Sequence, residues 1–209
     1  FGWTAKWVCE VQNADHLPEA IHRAWHTAMS GRPGPVVLGL PEDMLSDLTS
    51  EADADRVDIA EIAAPDAEVE RALELLRTAT KPLVIVGGSR WSDEASKLLD
   101  GFATAWDLPV CVTFRRQDRI DNRHPSYVGD LAFAPDPFLV QAMRDADLIL
   151  ALGTRLGDLT TGGYELLKPP KPDQTLIHVY PDPTELGRLY TPDVAVLADP
   201  AQFLASCAK

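Results

Sequence analysis

From Lys81 to the end of the chain, short apolar segments alternate with stretches of helical periodicity. Strands that are apolar throughout are buried on both faces, and this is typical of parallel sheets covered by helices. The pattern therefore predicts a doubly wound, parallel sheet. Five strands are indicated, and they read PLVIVGG at 82–88, LPVCVT at 108–113, DLILALG at 147–153, TLIHVY at 175–180 and VAVLAD at 194–199.

Helical periodicity fills the intervals between most of these segments. Ser92 is placed to cap a helix that runs to Trp106, and the residues after it are acidic, which suits a helix N-terminus. Further helices are predicted over 66–79, 136–144 and 200–207. The sequence thus predicts an α/β fold with a doubly wound, mostly parallel, Rossmann-like sheet that carries helices on both faces.

The first 48 residues carry the pattern of an incomplete α/β domain. Strands are indicated over 5–11 and 36–40, with a helix over 15–30 between them and Asp15 as its expected N-cap. One helix and two strands cannot bury a core of their own. We therefore expect a fragment of another α/β domain that either packs on the larger domain or is poorly ordered.

Aromatic and histidine side chains are concentrated in this N-terminal segment. Core packing is the simplest prediction for Trp3, Trp7 and Trp25, and an interface is the alternative. His22 and His26 lie four residues apart on one predicted helical face, but no third ligand is evident nearby. They are expected at a surface or interface, and the sequence predicts no metal site.

Residues 49–65 differ in composition from both flanking segments. They are acidic and rich in alanine, and they show no firm hydrophobic period. Such a stretch is typical of an exposed connector. The predicted organisation is therefore the end of one domain at 1–48, a linker at 49–65 and a complete domain at 66–209.

The chain is strongly acidic. It has 19 lysines and arginines against 32 aspartates and glutamates, a net charge of −13. Such a surface repels phosphate backbones and anionic lipids, and no apolar run approaches the ~18 residues of a membrane span. Neither nucleic acid nor a membrane is an expected partner. A phosphate ligand would have to be held locally, by backbone N–H groups or a few arginines.

The three cysteines are far apart in sequence. Cys9, Cys111 and Cys207 are odd in number and form no CxxC pair, which argues against both a disulfide framework and a zinc site. Cys111 lies in an apolar segment and is expected in the core. A reducing, cytoplasmic environment fits all three.

Candidate binding residues follow the predicted strands, because ligands of doubly wound sheets bind at the carboxyl ends of the strands. GGSRWSDE after the first strand lacks the third glycine of GxGxxG, so it is either a tight turn or a phosphate-binding turn. TFRRQDR after the second strand places three arginines in five residues. They either cradle a diphosphate or pair with Asp118 and Asp121.

The third strand is followed by GTRLGDLTTGG. Gly153, Thr154 and Arg155 offer backbone donors, a hydroxyl and a guanidinium at the same edge of the sheet. Three glycine-rich or arginine-bearing strand ends that converge on one edge predict a nucleotide-shaped pocket.

Several stretches resemble, in order along the chain, thiamine-diphosphate enzymes of the acetolactate synthase type. SGRPGPVVLGLPEDM resembles the closing helix and strand of that family's N-terminal, pyrimidine-binding domain, and TAKW the segment before them. KPLVIVGG resembles the opening strand of the family's central domain. DNRHPSYVGDL, LALGTRLGD and HVYPDPTELGRLYTPDVAVLAD resemble later stretches of the same domain, so the resemblance covers essentially the whole chain.

The resemblance implies that the chain is part of a larger enzyme with three α/β domains. The first domain carries the glutamate that activates the thiamine ring, and the third binds Mg²⁺ and the diphosphate of thiamine diphosphate. No catalytic residue is therefore expected in this chain, which alone is expected to be inactive. The whole enzyme would act on a 2-oxo acid as a transferase or lyase, as a homodimer or homotetramer with the remaining domains as partners.

The family's central domain binds FAD, ADP or nothing, and the resemblance transfers candidate cofactor-binding residues one at a time. Arg155 would face the diphosphate and Asp199 would lie near the adenine. The full set comprises Gly87, Gly88 and Arg90 in the first turn, Thr113, Phe114 and Arg115 at the second strand end, Gly153, Thr154 and Arg155 in the third, and Asp182 and Asp199 beyond.

Two departures from the family pattern bear on the nucleotide. The acidic position suited to a ribose hydroxyl is Tyr180 here, and GDLAFA stands where flavin-binding members read Gly-Met-His-Gly. The expectation is FAD or another adenine nucleotide in the central domain. The alternatives are a non-catalytic nucleotide-binding module and a purely structural domain.

Overall fold

The computed structural model describes residues 1–208 and divides the chain into two compact units, Phe1–Ala60 and a second that begins at Glu61. No helix among these residues is long and apolar enough to span a bilayer. The elements in chain order are β1 (Trp7–Glu10), α1 (Leu17–Met29), β2 (Val36–Gly39), α2 (Asp66–Thr78), β3 (Pro82–Val86), α3 (Asp93–Trp106), β4 (Val110–Thr113), β5 (Tyr127–Leu131), α4 (Pro137–Asp145), β6 (Leu148–Leu152), β7 (Thr175–Tyr180), β8 (Val194–Leu197) and α5 (Pro200–Cys207).

The second unit is built on a six-stranded sheet in the order β5-β4-β3-β6-β7-β8. Every neighbouring pair is parallel. Counted within the unit, this is the order 3-2-1-4-5-6 of a doubly wound dinucleotide-binding sheet. The predicted α/β, Rossmann-like class is confirmed. The strand order reverses between β3 and β6, and this point positions the candidate site.

Alternate residues of each strand point to opposite faces of the sheet and so build two cores. Val84 and Val86 of β3 belong to the first core, which α2, α3 and α5 cover. Leu83 and Ile85 belong to the second core. Because both faces are buried, the central strands are apolar at every position, which is the pattern seen in the sequence.

The second face is covered only partly by helix. Leu139 and Met143 of α4 pack there, and the rest of the layer comes from the irregular segments between β6 and β7 and between β7 and β8. Leu156 and Leu167 of the segment between β6 and β7 are fully buried, so the loop substitutes for a crossover helix.

The prediction of five strands in this domain was wrong by one. The sixth, β5, lies at the edge of the sheet and pairs only with β4. Its sequence YVGDL contains Gly129 and Asp130, and only Leu131 is fully buried. An edge strand needs no continuous apolar run, so the segment lacks the signal that identified the others.

The predicted cap of the first helix was also wrong. Asn13 instead opens a short 3-10 turn over Ala14–His16, and its side-chain oxygen accepts from the Asp15 backbone N–H at 2.9 Å. Helix α1 then begins at Leu17, with Pro18 in its first turn. Ser92, by contrast, caps α3 as predicted, since its hydroxyl accepts from the Ala95 N–H at 3.2 Å.

The first unit consists of a parallel pair of strands, β1 and β2, with α1 and a small core. Val11, Ala14 and Met44 are its buried centre. Trp3 is fully exposed and Trp25 is 57% exposed, so the prediction of core packing was wrong for both. Two four-residue strands and one helix supply no second layer to cover these rings.

The two-core arrangement predicts the effect of matched truncations in the sheet. Leu150→Ala in β6 removes a completely buried side chain and is expected to cost about 2–5 kcal/mol of unfolding free energy. Leu197→Ala in the edge strand β8, where the side chain is 37% exposed, is expected to cost less than about 1 kcal/mol. Urea unfolding followed by circular dichroism measures both, and equal losses would contradict the assignment.

Candidate functional site

The turns after β3 and β6 touch each other where the strand order reverses. Gly88 and Gly153 both have left-handed backbone conformations, with φ of 74° and 70°. A Cβ atom added to Gly88 would lie 1.8 Å from the Gly153 carbonyl oxygen, and one added to Gly153 would lie 2.8 Å from the Gly87 oxygen. Only glycine allows this approach of two main chains.

The neighbouring strand ends hold these turns in place. The Trp91 indole N–H donates to the Gly87 carbonyl at 2.9 Å, and the Gly87 N–H donates to the Leu152 carbonyl at 3.0 Å. A Cβ on Gly87 would meet the Thr113 hydroxyl oxygen of β4 at 2.3 Å. The carboxyl ends of β3, β4 and β6 are therefore closely packed against one another.

A polar cavity of about 340 Å³ lies beside these strand ends, and we call it the strand-edge cavity. It is bordered by residues at the carboxyl ends of β3, β4, β6 and β7, in the crevice where doubly wound folds bind ligands. Six residues proposed from the sequence line it, and the full lining is Gly88, Thr113, Phe114, Arg116, Gly153, Thr154, Arg155, Gly157, Asp158, Leu159, Thr160 and Tyr180.

Two arginines give the cavity its anion-binding character. Arg155 is exposed and Arg116 half-buried, and neither forms an ion pair with any residue of 1–208. In a chain of net charge −13, unpaired guanidinium groups at one rim create a local positive potential. With backbone N–H groups and the hydroxyls of Thr113, Thr154 and Thr160 nearby, the donors suit a phosphate or carboxylate.

Arg115 does not line the strand-edge cavity, although the sequence pointed to it. Its φ of 59° turns the side chain over the Phe114 ring, where the guanidinium carbon lies 4.8 Å from the ring centroid. Arg116 takes the cavity position instead. The backbone conformation of the turn decides which of the two adjacent arginines lines the cavity. The sequence of the loop does not indicate this conformation.

The alternative of ion pairing in the same loop holds for one of its arginines. Arg119 pairs with Asp118 at 3.1 Å. Asp121 pairs with Arg123, whose hydrogen bonds lower the pKa of Asp121 to about 2. Within this loop, Arg119 is thus held in an ion pair, whereas Arg116 lines the strand-edge cavity.

Arg90 and Asp199 bind each other rather than line the cavity. The Arg90 Nε and Nη2 atoms donate to the two carboxylate oxygens at 2.5 and 2.9 Å, and both side chains are buried. Asp199 also accepts from the Ile62 N–H at 2.8 Å. The pair joins the turn after β3, the start of α5 and the segment before α2.

Asp182 has a local role in its own turn. Its carboxylate accepts from the Thr184 N–H at 2.9 Å and from the Thr184 hydroxyl at 2.7 Å. This arrangement stabilises the bend that follows β7. Asp182 is not among the residues that line the strand-edge cavity.

A larger and more apolar cavity of about 510 Å³ adjoins the strand-edge cavity. The two share Asp158, Leu159 and Thr160. An edge-to-face contact joins Phe114, on the polar side, to Phe133, on the apolar side, at 5.0 Å. This apolar cavity was not predicted from the sequence, because its lining comes from the end of β5, which was not recognised as a strand, and from the loop after β6.

A buried histidine lies beside the strand-edge cavity. The His178 Nε2 atom is 2.8 Å from the Thr154 carbonyl, which can only accept, so Nε2 carries the hydrogen. Burial lowers the pKa of His178, so the ring is neutral at physiological pH. Its hydrogen bond fixes the loop that carries Arg155.

The described residues offer anion-binding donors rather than a metal site. Within 1–208 there is no group of three or more histidine, cysteine, aspartate or glutamate side chains placed to hold a metal ion. The chemistry that this arrangement supports is the binding of a phosphate-bearing or carboxylate-bearing ligand.

Comparison with known proteins identifies the family to which the second unit is similar. Residues 69–207 match the family described as thiamine pyrophosphate enzyme, central domain. The chain belongs to this family. The match covers most of the second unit, so the doubly wound sheet and the strand-edge cavity lie within the matched residues.

Similarity to individual relatives extends beyond the central domain. The chain is 30% identical over 199 residues to the acetolactate synthase large subunit of Corynebacterium glutamicum, covering 93% of this chain and 31% of the relative. It is 33% identical over 190 residues to the acetolactate synthase isozyme 2 large subunit of Escherichia coli, covering 90% and 34%. The glyoxylate carboligase of Escherichia coli O157:H7 is 27% identical over 198 residues, covering 93% and 33%. The chain spans about a third of the length of these relatives.

Breaking the buried ion pair is expected to destabilise the second unit. Asp199→Asn removes the carboxylate charge that faces the buried Arg90 guanidinium, and the expected cost is about 3–5 kcal/mol. The same change in the fully exposed pair, Asp58→Asn, is expected to have no measurable effect. Chemical unfolding of both variants tests this, and an equal effect would contradict a structural role for Asp199.

The buried histidine predicts a pH dependence of stability. Below its usual pKa of 6.5 the unfolded chain protonates His178 and the folded chain does not, so stability falls as pH drops below that value. The contribution is at most about 1.4 kcal/mol per pH unit. Unfolding midpoints between about pH 7.5 and about pH 5 measure the slope.

A substitution separates this effect from other titrating groups. His178→Gln keeps a donor for the Thr154 carbonyl and removes the titration, so its slope should be shallower by that amount. His22→Gln in the exposed face of α1 is the control. If the His178→Gln and His22→Gln slopes coincide, the assignment of the slope to His178 is wrong.

Proposed function

We propose that the chain is the central part of a thiamine-diphosphate- and Mg²⁺-dependent enzyme that acts on 2-oxo acids. The similarity to acetolactate synthase and glyoxylate carboligase large subunits supports this reading. The reaction would be decarboxylation of a 2-oxo acid and transfer of the resulting carbanion to an acceptor. The transferase or lyase activity would belong to the whole enzyme.

The catalytic centre would lie in the remaining domains of that enzyme. Residues 1–48 would be the end of the pyrimidine-binding domain, 49–65 a linker and 66–209 the central domain. By the resemblance to thiamine-diphosphate enzymes, thiamine diphosphate and Mg²⁺ would be held by the other domains. The chain alone would be inactive, and the whole enzyme would work in the cytoplasm as a homodimer or homotetramer.

The central domain would bind an adenine nucleotide through its diphosphate. The strand-edge cavity carries this proposal, because Arg116 and Arg155 meet the glycine turns of β3 and β6 there. Guanidinium groups and main-chain N–H groups at a strand-end crevice are the donors that a diphosphate requires. The donor set therefore fits FAD or an ADP-type nucleotide.

The adjoining apolar cavity distinguishes the two nucleotides. FAD would extend from the strand-edge cavity past Asp158 and Leu159 into the apolar compartment, whereas ADP would fill the polar part alone. Tyr180 stands in the polar part where the resemblance expects an acidic partner for the ribose. Without an acidic partner for the ribose, contacts in the apolar cavity would contribute a larger share of the affinity for FAD.

A purely structural domain is the second candidate. The observation that favours it is the Arg90–Asp199 pair, which takes two proposed nucleotide-binding residues out of the cavity. In this alternative the domain braces its neighbours and the cavity holds no nucleotide.

Thermal melting of the chain with FAD, ADP, NAD and CoA separates these functions. A ligand at about 100 times its dissociation constant adds about 2.7 kcal/mol, which gives a clear shift in Tm. A shift with FAD and a flavin absorbance in the purified protein would support the flavin form. A shift with ADP or CoA alone would indicate an ADP-type ligand, and no shift would favour the structural domain.

Arginine substitutions localise the ligand. Arg155→Ala and Arg116→Ala each remove a charged donor from the cavity, and each is expected to weaken nucleotide binding by about 1.5–3 kcal/mol. Arg123→Ala, in the exposed pair with Asp121, is the control and should bind normally. Titration calorimetry measures all three, and equal affinities across them would place the nucleotide elsewhere.

The enzymatic part of the proposal has its own test. The coding sequence on both sides of this chain should specify the other two domains, and the whole protein should consume a 2-oxo acid only with thiamine diphosphate and Mg²⁺. The 209-residue chain assayed in parallel should show no activity. Turnover by the chain alone would refute the placement of the catalytic centre.

A further inference from the structure

Asp158 lies where the strand-edge cavity meets the apolar cavity, and it lines both of them. Its side chain is exposed, so the carboxylate is accessible to a ligand. The Oδ1 atom accepts from the Leu159 N–H at 2.8 Å, and the Oδ2 atom has no hydrogen-bond donor among residues 1–208. A ligand that extends from one cavity into the other therefore passes an acceptor that is free to bind it.

The Asp158 carboxylate is a negative charge that the site itself does not neutralise. Arg116 and Arg155 line the strand-edge cavity but not the apolar cavity, and neither forms an ion pair with Asp158. Because like charges repel most strongly at short range, the carboxylate weakens the binding of any anionic group placed beside it. It favours a ligand whose negative charge stays near the arginines and whose neighbouring part is uncharged.

The order of the strands indicates how far such a ligand extends. The lining of the two cavities runs from Tyr180 at the end of β7, past the turns after β6 and β3 and Thr113 at the end of β4, to Leu131 at the end of β5. These five strands are consecutive neighbours in the sheet. At about 4.8 Å between neighbours, their ends span about 19 Å. A diphosphate with an organic group at each end suits such a length.

We propose that the two cavities select a diphosphate esterified at both ends over a nucleotide that ends in a free phosphate, and that Asp158 makes this selection. The inference rests on the proposed nucleotide-binding function and names the class of nucleotide. In a diester, the sugar or sugar alcohol beyond the second phosphate would donate a hydroxyl hydrogen bond to Asp158 Oδ2. In ADP, a terminal phosphate with a charge of about −1.5 to −2 would face the same carboxylate.

The alternative is that Asp158 only stabilises its own turn. Its main-chain carbonyl accepts from the Gly163 N–H at 2.8 Å, and its Oδ1 atom accepts from Leu159, so part of its role is local. Asp158→Asn keeps the size of the side chain and an oxygen for the Leu159 N–H, and it removes the charge. This substitution therefore separates the effect of the charge from that of the turn.

Titration calorimetry of the 209-residue chain with ADP, ADP-ribose and FAD tests the selection. ADP-ribose carries the diphosphate of ADP with a second sugar in ester linkage, so it isolates the terminal charge from contacts of a flavin ring. ADP-ribose and FAD should each bind at least about tenfold more tightly than ADP. Binding of ADP that equals or exceeds that of ADP-ribose would overturn the proposal.

A matched pair of variants assigns the selection to one side chain. Asp158→Asn should tighten ADP binding about tenfold and change ADP-ribose binding by less than about threefold. Asp173→Asn removes an exposed carboxylate from the same connection between β6 and β7, outside both cavities, and should bind all three ligands like the unsubstituted chain. Circular dichroism confirms that both variants are folded. If Asp158→Asn leaves the ratio of the ADP and ADP-ribose affinities unchanged, Asp158 does not make the selection.

The results distinguish failure of this inference from failure of the nucleotide proposal. If none of the three ligands binds, the nucleotide proposal fails and the selection fails with it. If the ligands bind and Arg155→Ala weakens them, but ADP and ADP-ribose bind equally, the nucleotide proposal stands and the selection alone is wrong.

Discussion

The contact between the turns after β3 and β6 is the constraint on which the site depends. Gly88 and Gly153 approach so closely that a single added methyl group would collide with main-chain atoms. Their left-handed conformations end both strands abruptly at the point where the strand order reverses. The main-chain groups beyond the strands are therefore presented to a crevice, and the flanking arginines only have to reach its rim.

Charge in the second unit is organised around that crevice. The buried pair of Arg90 and Asp199 closes the sheet edge beside α5 and ties down the segment before α2, so its charges are satisfied within the protein. Arg116 and Arg155 remain without carboxylate partners among residues 1–208. Arg90 therefore stabilises the fold through its buried ion pair, whereas Arg116 and Arg155 are available to a ligand. His178 links both roles, since its hydrogen bond to Thr154 supports the loop that carries Arg155.

The sequence predicted the fold where hydrophobic burial dictates residue type. The central strands β3 and β6 are buried on both faces and therefore apolar at each position, which makes them visible as continuous runs. Edge strand β5 has one neighbour and needs no such run, so it was missed. Likewise Ser92 was identified as a cap from local chemistry, whereas the start of α1 depends on a 3-10 turn that Asn13 sets up.

By itself, the sequence determined the α/β class, the glycine-rich ends of β3 and β6 and the local excess of arginine, because burial periodicity and backbone freedom are properties of short segments. Only the tertiary structure decided which arginine reaches the cavity and where Asp199 points. Arg115 and Arg116 are chemically equivalent in the sequence. The left-handed backbone of Arg115 places its side chain over Phe114, and Arg116 lines the cavity. The partner of Asp199 lies 109 residues away, and local patterns contain no information about contacts made across the sheet.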